Sequence, residues 1–254
     1  MIYYIKSQLQ RSLTDKYFKI FIIGILAAVL LANLSMTAFR DIIYGMNDGT
    51  FAYNLIMFAK GFFWLPYYAT IFIADEVIGP EYPDPRIRDK STIGLTRRHI
   101  FFGKFITEVL VLIICAVFAT VAFLVITPIF QVHDGTINAS VIIDFAEAVL
   151  LAMPLFIAGV SIGNMFCFAV LPRKKAIFAF LFFVVAVPRA IMLLATDNIR
   201  FMPAVFIRNL LLTPQFQELQ FYATRNVPKI IISSIIYVVF SCLYGAYSFD
   251  KKEF

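Results

Sequence analysis

Charge is scarce in this chain. Asp, Glu, Lys and Arg make up 15% of its 254 residues, against about a quarter in an ordinary soluble domain. Histidine is scarcer still. The two present, His99 and His133, have no carboxylate or cysteine at ligand spacing and no HExxH pattern, which argues against an intramembrane metalloprotease. The three cysteines, Cys115, Cys167 and Cys242, all fall inside apolar runs. They read as small packing residues, and neither a disulfide framework nor a zinc spacing exists. No GxxxxGK[ST] loop occurs, so the chain does not itself hold ATP in the P-loop manner. Ser161, within Gly159-Val160-Ser161-Ile162-Gly163, and Ser233 both lie in apolar runs and lack an adjacent base, which speaks against a serine hydrolase. No metal or cofactor is expected in this chain.

What the chain has is hydrocarbon. It is 61% hydrophobic, with mean hydropathy +0.84, 29 Phe and 12 Tyr. This is the composition of an integral membrane protein. The net charge of +6 is therefore read as a preference for cytoplasmic loops and anionic headgroups, not for nucleic acid. Six apolar runs are long enough to span, near residues 17–38, 51–73, 105–130, 141–170, 176–196 and 228–249; a span takes about 20 residues. The fourth is longer than one straight crossing needs and holds Pro154 and Gly159, which predicts a kink or break near its middle. The first run is too long for a signal core and predicts an uncleaved span.

Basic residues set the expected orientation. Fifteen of the 22 Lys/Arg lie in the N-terminal segment, the gap after the second run, the Arg173-Lys174-Lys175 turn and the C-terminal tail. These segments are expected to be cytoplasmic, with both termini inside a plasma membrane. Ile2, Ile5, Leu9 and Leu13 recur at helical spacing, which predicts an amphipathic interfacial helix within residues 1–16. Residues 197–227 then fall outside. They are too apolar for an exposed loop (Phe201, Val205, Phe206, Leu210 to Leu212) and are broken by Pro203 and Pro214. They predict re-entrant half-helices before the last span.

Two groups of residues are candidates for function. The first is the charged gap, residues 75–104. It holds five acids and six bases among Ile93, Leu95, Ile100 and Phe102, a mixture suited to a protein interface. The second is the ionisable set inside the spans. Lys60, Glu147 and Arg189 fall at comparable depth, about 9–14 Å from the outer boundary at 1.5 Å per residue. Asp144 shares a helix face with Glu147. Such residues usually face a cavity or a partner. They are candidates for a substrate path, or alternatively for ion pairs that hold helices together. Glu108, near the inner end of the third run, reads as interfacial. Asn138-Ala139-Ser140 matches a glycosylation sequon but is too short to weigh.

The whole-chain pattern resembles a permease subunit of the ABC-2 type exporter family. The shared features are the amphipathic N-terminal helix, six spans, a charged gap after the second span, an apolar segment before the last span and a short basic tail. In that family the gap carries a Glu, a Gly-Thr, a leucine-rich stretch, a Ser-Arg pair and a Gly-Lys. This chain offers Glu76 and Gly79, then Ser91-Thr92-Ile93-Gly94-Leu95-Thr96-Arg97-Arg98, and Gly103-Lys104. Pro80 stands where the family has Thr, and residues 81–85 look like an insertion. The resemblance implies a single permease domain over 1–254 with a cytoplasmic coupling helix. It also implies a separate ATPase subunit that holds ATP and Mg, a second permease subunit, and export of an amphipathic substrate such as a peptide, drug or lipid-like molecule. Glu76, Gly79, Arg86, Arg88, Arg97, Arg98, Phe102 and Lys104 would couple to the ATPase, while Lys60, Asp144, Glu147 and Arg189 would line the path. Two alternatives stand beside it. One is a membrane enzyme using Asp144, Glu147 and Arg189; the other is a membrane anchor for a soluble partner.

Overall fold

The computed structural model describes residues 1–38, 51–78, 96–131, 137–170, 173–195 and 202–251. Among these the chain is helical, with no strand. Helix α1 (Ile2–Thr14) is followed by α2 (Lys16–Ala38), α3 (Phe51–Gly61), α4 (Trp64–Ile78), α5 (Arg97–Phe130) and α6 (Ala139–Ala169). Then come α7 (Arg173–Phe180), a π turn (Leu181–Ala186) and α8 (Val187–Leu194). The chain ends with α9 (Met202–Leu210), α10 (Leu212–Gln217) and α11 (Val227–Asp250). Five helical segments are long and apolar enough to cross a membrane, or six if the bent pair α3–α4 is one span.

Unlike a soluble protein, the bundle is apolar outside as well as inside, with a few charges enclosed. The interior holds Lys60, Lys104, Glu108 and Asn164, all buried. The exterior of α11 presents Ile232, Ile235, Ile236, Phe240 and Leu243. Apolar faces on this scale are what lipid covers.

Helix α6 is the axis of the bundle. It packs along α11, α4 and α5, and small residues bring the backbones close. A Cβ on Gly159 would stand 2.8 Å from the Tyr67 ring, and one on Gly245 would stand 2.8 Å from the Phe101 ring. Small-residue contacts of this kind drive helix association in lipid, where burial of hydrocarbon brings no gain.

The break expected in the fourth span falls elsewhere. Helix α6 runs through Pro154 without interruption, clamped on both sides by α4 and α11. The second span is the broken one, with α3 and α4 meeting at 57°. Pro66 explains it: its ring opposes the Phe62 carbonyl and it has no N–H to give. That carbonyl instead accepts from Leu65 N at 2.9 Å. Gly61, at the bend, lies where a Cβ would meet Gln220 Oε1 at 2.7 Å. The fifth span has its own irregularity, the π turn just before Pro188. A wider turn relieves the clash between proline and the carbonyl four residues earlier.

The third apolar run, expected from residue 105, is the inner part of a helix that starts eight residues sooner, at Arg97. Thr96 caps it, its Oγ1 accepting from His99 N at 3.3 Å. Asn138, read above as a possible sequon, is the N-cap of α6: its Oδ1 accepts from Val141 N at 3.2 Å and from Ser140 Oγ at 2.7 Å. A capping Asn is worth about 1 kcal/mol.

The amphipathic helix is present as α1, but the face it buries is the polar one. Gln8 and Ser12 are buried, whereas Ile2 is exposed and Ile5, Leu9 and Leu13 are half-buried. The helix packs on α5, with Tyr4 against Gly103 and Leu9 against the core, and Ile2 at the far end of its apolar edge is left exposed, as at a membrane surface.

Candidate functional site

The ends of the bundle hold two separate polar clusters. At the end where α4 finishes and α5 begins, the cations are spent on helix termini. Arg11 and Lys104 both donate to the Val77 carbonyl, at 2.9 and 2.8 Å, in the last turn of α4. Arg97 donates to the carbonyls of Phe249 and Asp250, at 3.5 and 2.9 Å, at the end of α11. Arg98 forms a 2.9 Å ion pair with Asp250. Terminal carbonyls have no partner within their own helix and carry the negative end of its dipole, so a cation there serves as a cap. Of the residues expected to couple to an ATPase, Arg97 and Lys104 thus face the chain's own helix ends. Phe102 is 37% exposed, and Glu76 is buried beside Asp75 at the wall of a small cleft of about 160 Å³. Gly79, Arg86 and Arg88 lie outside the described residues.

The other end brings together the charges expected inside the spans, with one substitution of partner. Lys60, in the last turn of α3 and 1% exposed, forms an ion pair with Asp144 in the second turn of α6. The other Asp144 oxygen lies 2.8 Å from Arg225 Nη2, and Arg225 Nη1 lies 4.0 Å from Glu147. Arg225 is itself held by the Leu219 carbonyl, at 3.1 Å from Nε, and by the Tyr222 ring, 5.1 Å below the guanidinium. One carboxylate thus sits between two buried cations, and each charge desolvated by burial is offset by a neighbour. Glu147 is the loose member. It is 48% exposed, and among the described residues its ion pair is the long one.

Arg189, expected in this cluster, is not in it. It stacks on Trp64, 4.1 Å from the ring centroid, a cation–π contact between the fifth span and the start of α4. Arg225 takes its place. Read as a loop residue, it gave no signal by hydropathy. Its place just before the last span, beside a capping Asn226 that accepts from Lys229 N at 3.3 Å, is the only hint that it is held at a helix end.

The charge cluster floors an open cleft of about 460 Å³. Tyr53 and Met57 of α3, Ser140, Asp144 and Glu147 of α6, and Tyr222 line it. The cleft offers aromatic and thioether walls and a partly engaged carboxylate. Helices α9 and α10 close the bundle nearby. Helix α10 is buried from Leu212 to Phe216. Phe216 lies between Tyr67 and Phe156, at 5.0 and 5.2 Å, and Gln215 accepts from Ser233 at 2.7 Å. Among the described residues no three His, Cys, Asp or Glu side chains converge as a metal site would need. Neither the known family models nor the curated proteins give a match to this chain.

Proposed function

We propose that the chain is the membrane-embedded subunit of an ABC-2 type exporter, driven by ATP hydrolysis on a separate subunit. The observation that carries this reading is helix α10, a short helix whose residues from Leu212 to Phe216 are buried in the bundle between the fifth and last spans. A short helix inside a membrane protein is tolerated only where protein covers it. A short buried helix at this position, a docked N-terminal amphipathic helix and a charged gap after the second span together resemble the pattern of that family's permeases. On this reading the end bearing Arg11, Lys104 and Arg97 is cytoplasmic, and the cleft over Asp144 opens outward.

The cleft is then where an amphipathic substrate pauses, its apolar part against Tyr53, Met57 and Tyr222 and its polar part near Glu147. Chemistry on a substrate is less well supported. Asp144, the less exposed of the two acids at the cleft, is engaged by two cations and cannot also serve as a free base.

Expression with the products of the neighbouring genes, followed by purification in lipid and an assay of ATP hydrolysis, tests the proposal. The expected result is a complex whose ATP hydrolysis rises in the presence of this chain and falls when Arg86→Glu and Arg88→Glu are combined. Failure of any ATPase to associate overturns it.

A further inference from the structure

Glu108 belongs to neither cluster. It lies on α5 one turn beyond Lys104, is fully buried, and faces Asn164 of α6, which is fully buried as well. Asn164 Nδ2 donates to Glu108 Oε1 at 2.9 Å. The remaining oxygens, Glu108 Oε2 and Asn164 Oδ1, are closed off from solvent and have no hydrogen-bond partner.

The charged and titratable groups on every neighbouring helix can be accounted for. On α5 itself Lys104 is the nearest cation, and its ammonium is directed at the Val77 carbonyl of α4. On α1, Arg11 donates to that same carbonyl. Helix α4 brings Asp75 and Glu76, both acids, at its last turn. Helix α11 brings Cys242, a free and buried thiol, and its terminal Asp250, which pairs with Arg98. Helix α2 brings only Lys16 and Lys19, both exposed, and α6 brings no charge at this level. Among the described residues none of these cations forms an ion pair with Glu108; Lys104, one turn back, acts on it through its charge alone.

A carboxylate has about four acceptor sites, and here it would receive one amide bond in a membrane interior. Burying the charge costs far more than that bond returns. A single proton changes the balance. The acid becomes neutral and gains an O–H donor, while the amide already bonded to it has an acceptor to spare. A carboxylic acid and a primary amide can join through two parallel bonds, Nδ2–H to Oε1 and O–H from Oε2 to Oδ1, and both orphaned oxygens are then satisfied.

We propose that Glu108 is a proton-binding site inside the membrane, occupied in this conformation and closed by Asn164. The proton bridges α5 and α6. It leaves only when water reaches Oε2, which requires these two helices to part at that level, so proton exchange reports their separation.

Infrared spectroscopy of the full chain in lipid vesicles at neutral pH tests this. The expected spectrum contains a protonated-carboxyl carbonyl band that Glu108→Gln removes. Asn164→Ala should move that band to higher frequency without abolishing it. Glu108→Gln should also keep the melting temperature of the parent, since glutamine reproduces both bonds, whereas Glu108→Ala should lower it. A spectrum unchanged by Glu108→Gln, a band unmoved by Asn164→Ala, or a Glu108→Gln variant that fails to fold would each overturn the proposal.

Discussion

The two ends of the bundle use the same residue types for different purposes. At the end bearing the charged gap, Arg11, Lys104 and Arg97 close on backbone carbonyls of Val77, Phe249 and Asp250. At the other, Lys60 and Arg225 close on side-chain carboxylates beside an open cleft. A cation that caps a helix is fixed by the helix and leaves nothing over. A cation that shares a carboxylate can be redistributed when a guest arrives. The first end behaves as a seal, and the second has the makings of a station.

The comparison breaks most readily at Asp144. Replacing it by Ala strands two buried cations, and the expected loss is about 3–5 kcal/mol, read as a large drop in melting temperature in lipid or detergent. A small drop would mean that the cluster is solvated and that the second end is not a buried device. Next is Lys104→Met, which keeps the apolar stem but removes one of two donors at Val77. A loss of about 1–3 kcal/mol is expected, checked by the same melt. A loss as large as that of Asp144→Ala would erase the contrast between capping and pairing.

A third polar knot offers a calibration free of formal charge. Gln131 Nε2 donates to the Asn33 carbonyl at 2.7 Å and to Thr37 at 3.2 Å, tying α5 to α2. Gln131→Leu should cost about 0.6–1.7 kcal/mol, the span measured for hydrogen bonds between membrane helices, as judged by unfolding titration. The smallest effect on stability is expected at Glu147. On the exporter reading proposed above, Glu147→Gln should leave the melting temperature in place yet lower export in a vesicle assay with the ATPase present. Unchanged export would remove Glu147 from the substrate path.

Much of the frame was legible from hydropathy, because a run of about 20 apolar residues has few other uses. The first two turns of α5 were not. Arg97, Arg98 and Lys104 make the window polar, and only the fold shows that two of them reach into helix ends. Proline was ambiguous for a physical reason. Pro66 and Pro154 carry the same local penalty, but α6 stays continuous through the half-buried Pro154 while the exposed Pro66 stands at the bend.

The buried face of α1 was misleading as well. Periodicity located Ile2, Ile5, Leu9 and Leu13, yet in a membrane protein the apolar edge can belong to lipid and the polar edge to protein. Asp144 and Glu147 were visible as costly residues, as was Lys60. Their partner Arg225 was hidden, because a loop residue shows nothing in sequence of what it folds back upon.

The bend in the second span and the π turn in the fifth have a shared mechanical consequence. Both are joints, and Arg189 lying on Trp64 joins the rod beyond one to the rod beyond the other. The mast formed by α6 and α11 is unbroken, and the second span rests on it directly along α4. The molecule has in effect a jointed linkage laid against a stiff post, with a cation on a ring as one of its pins.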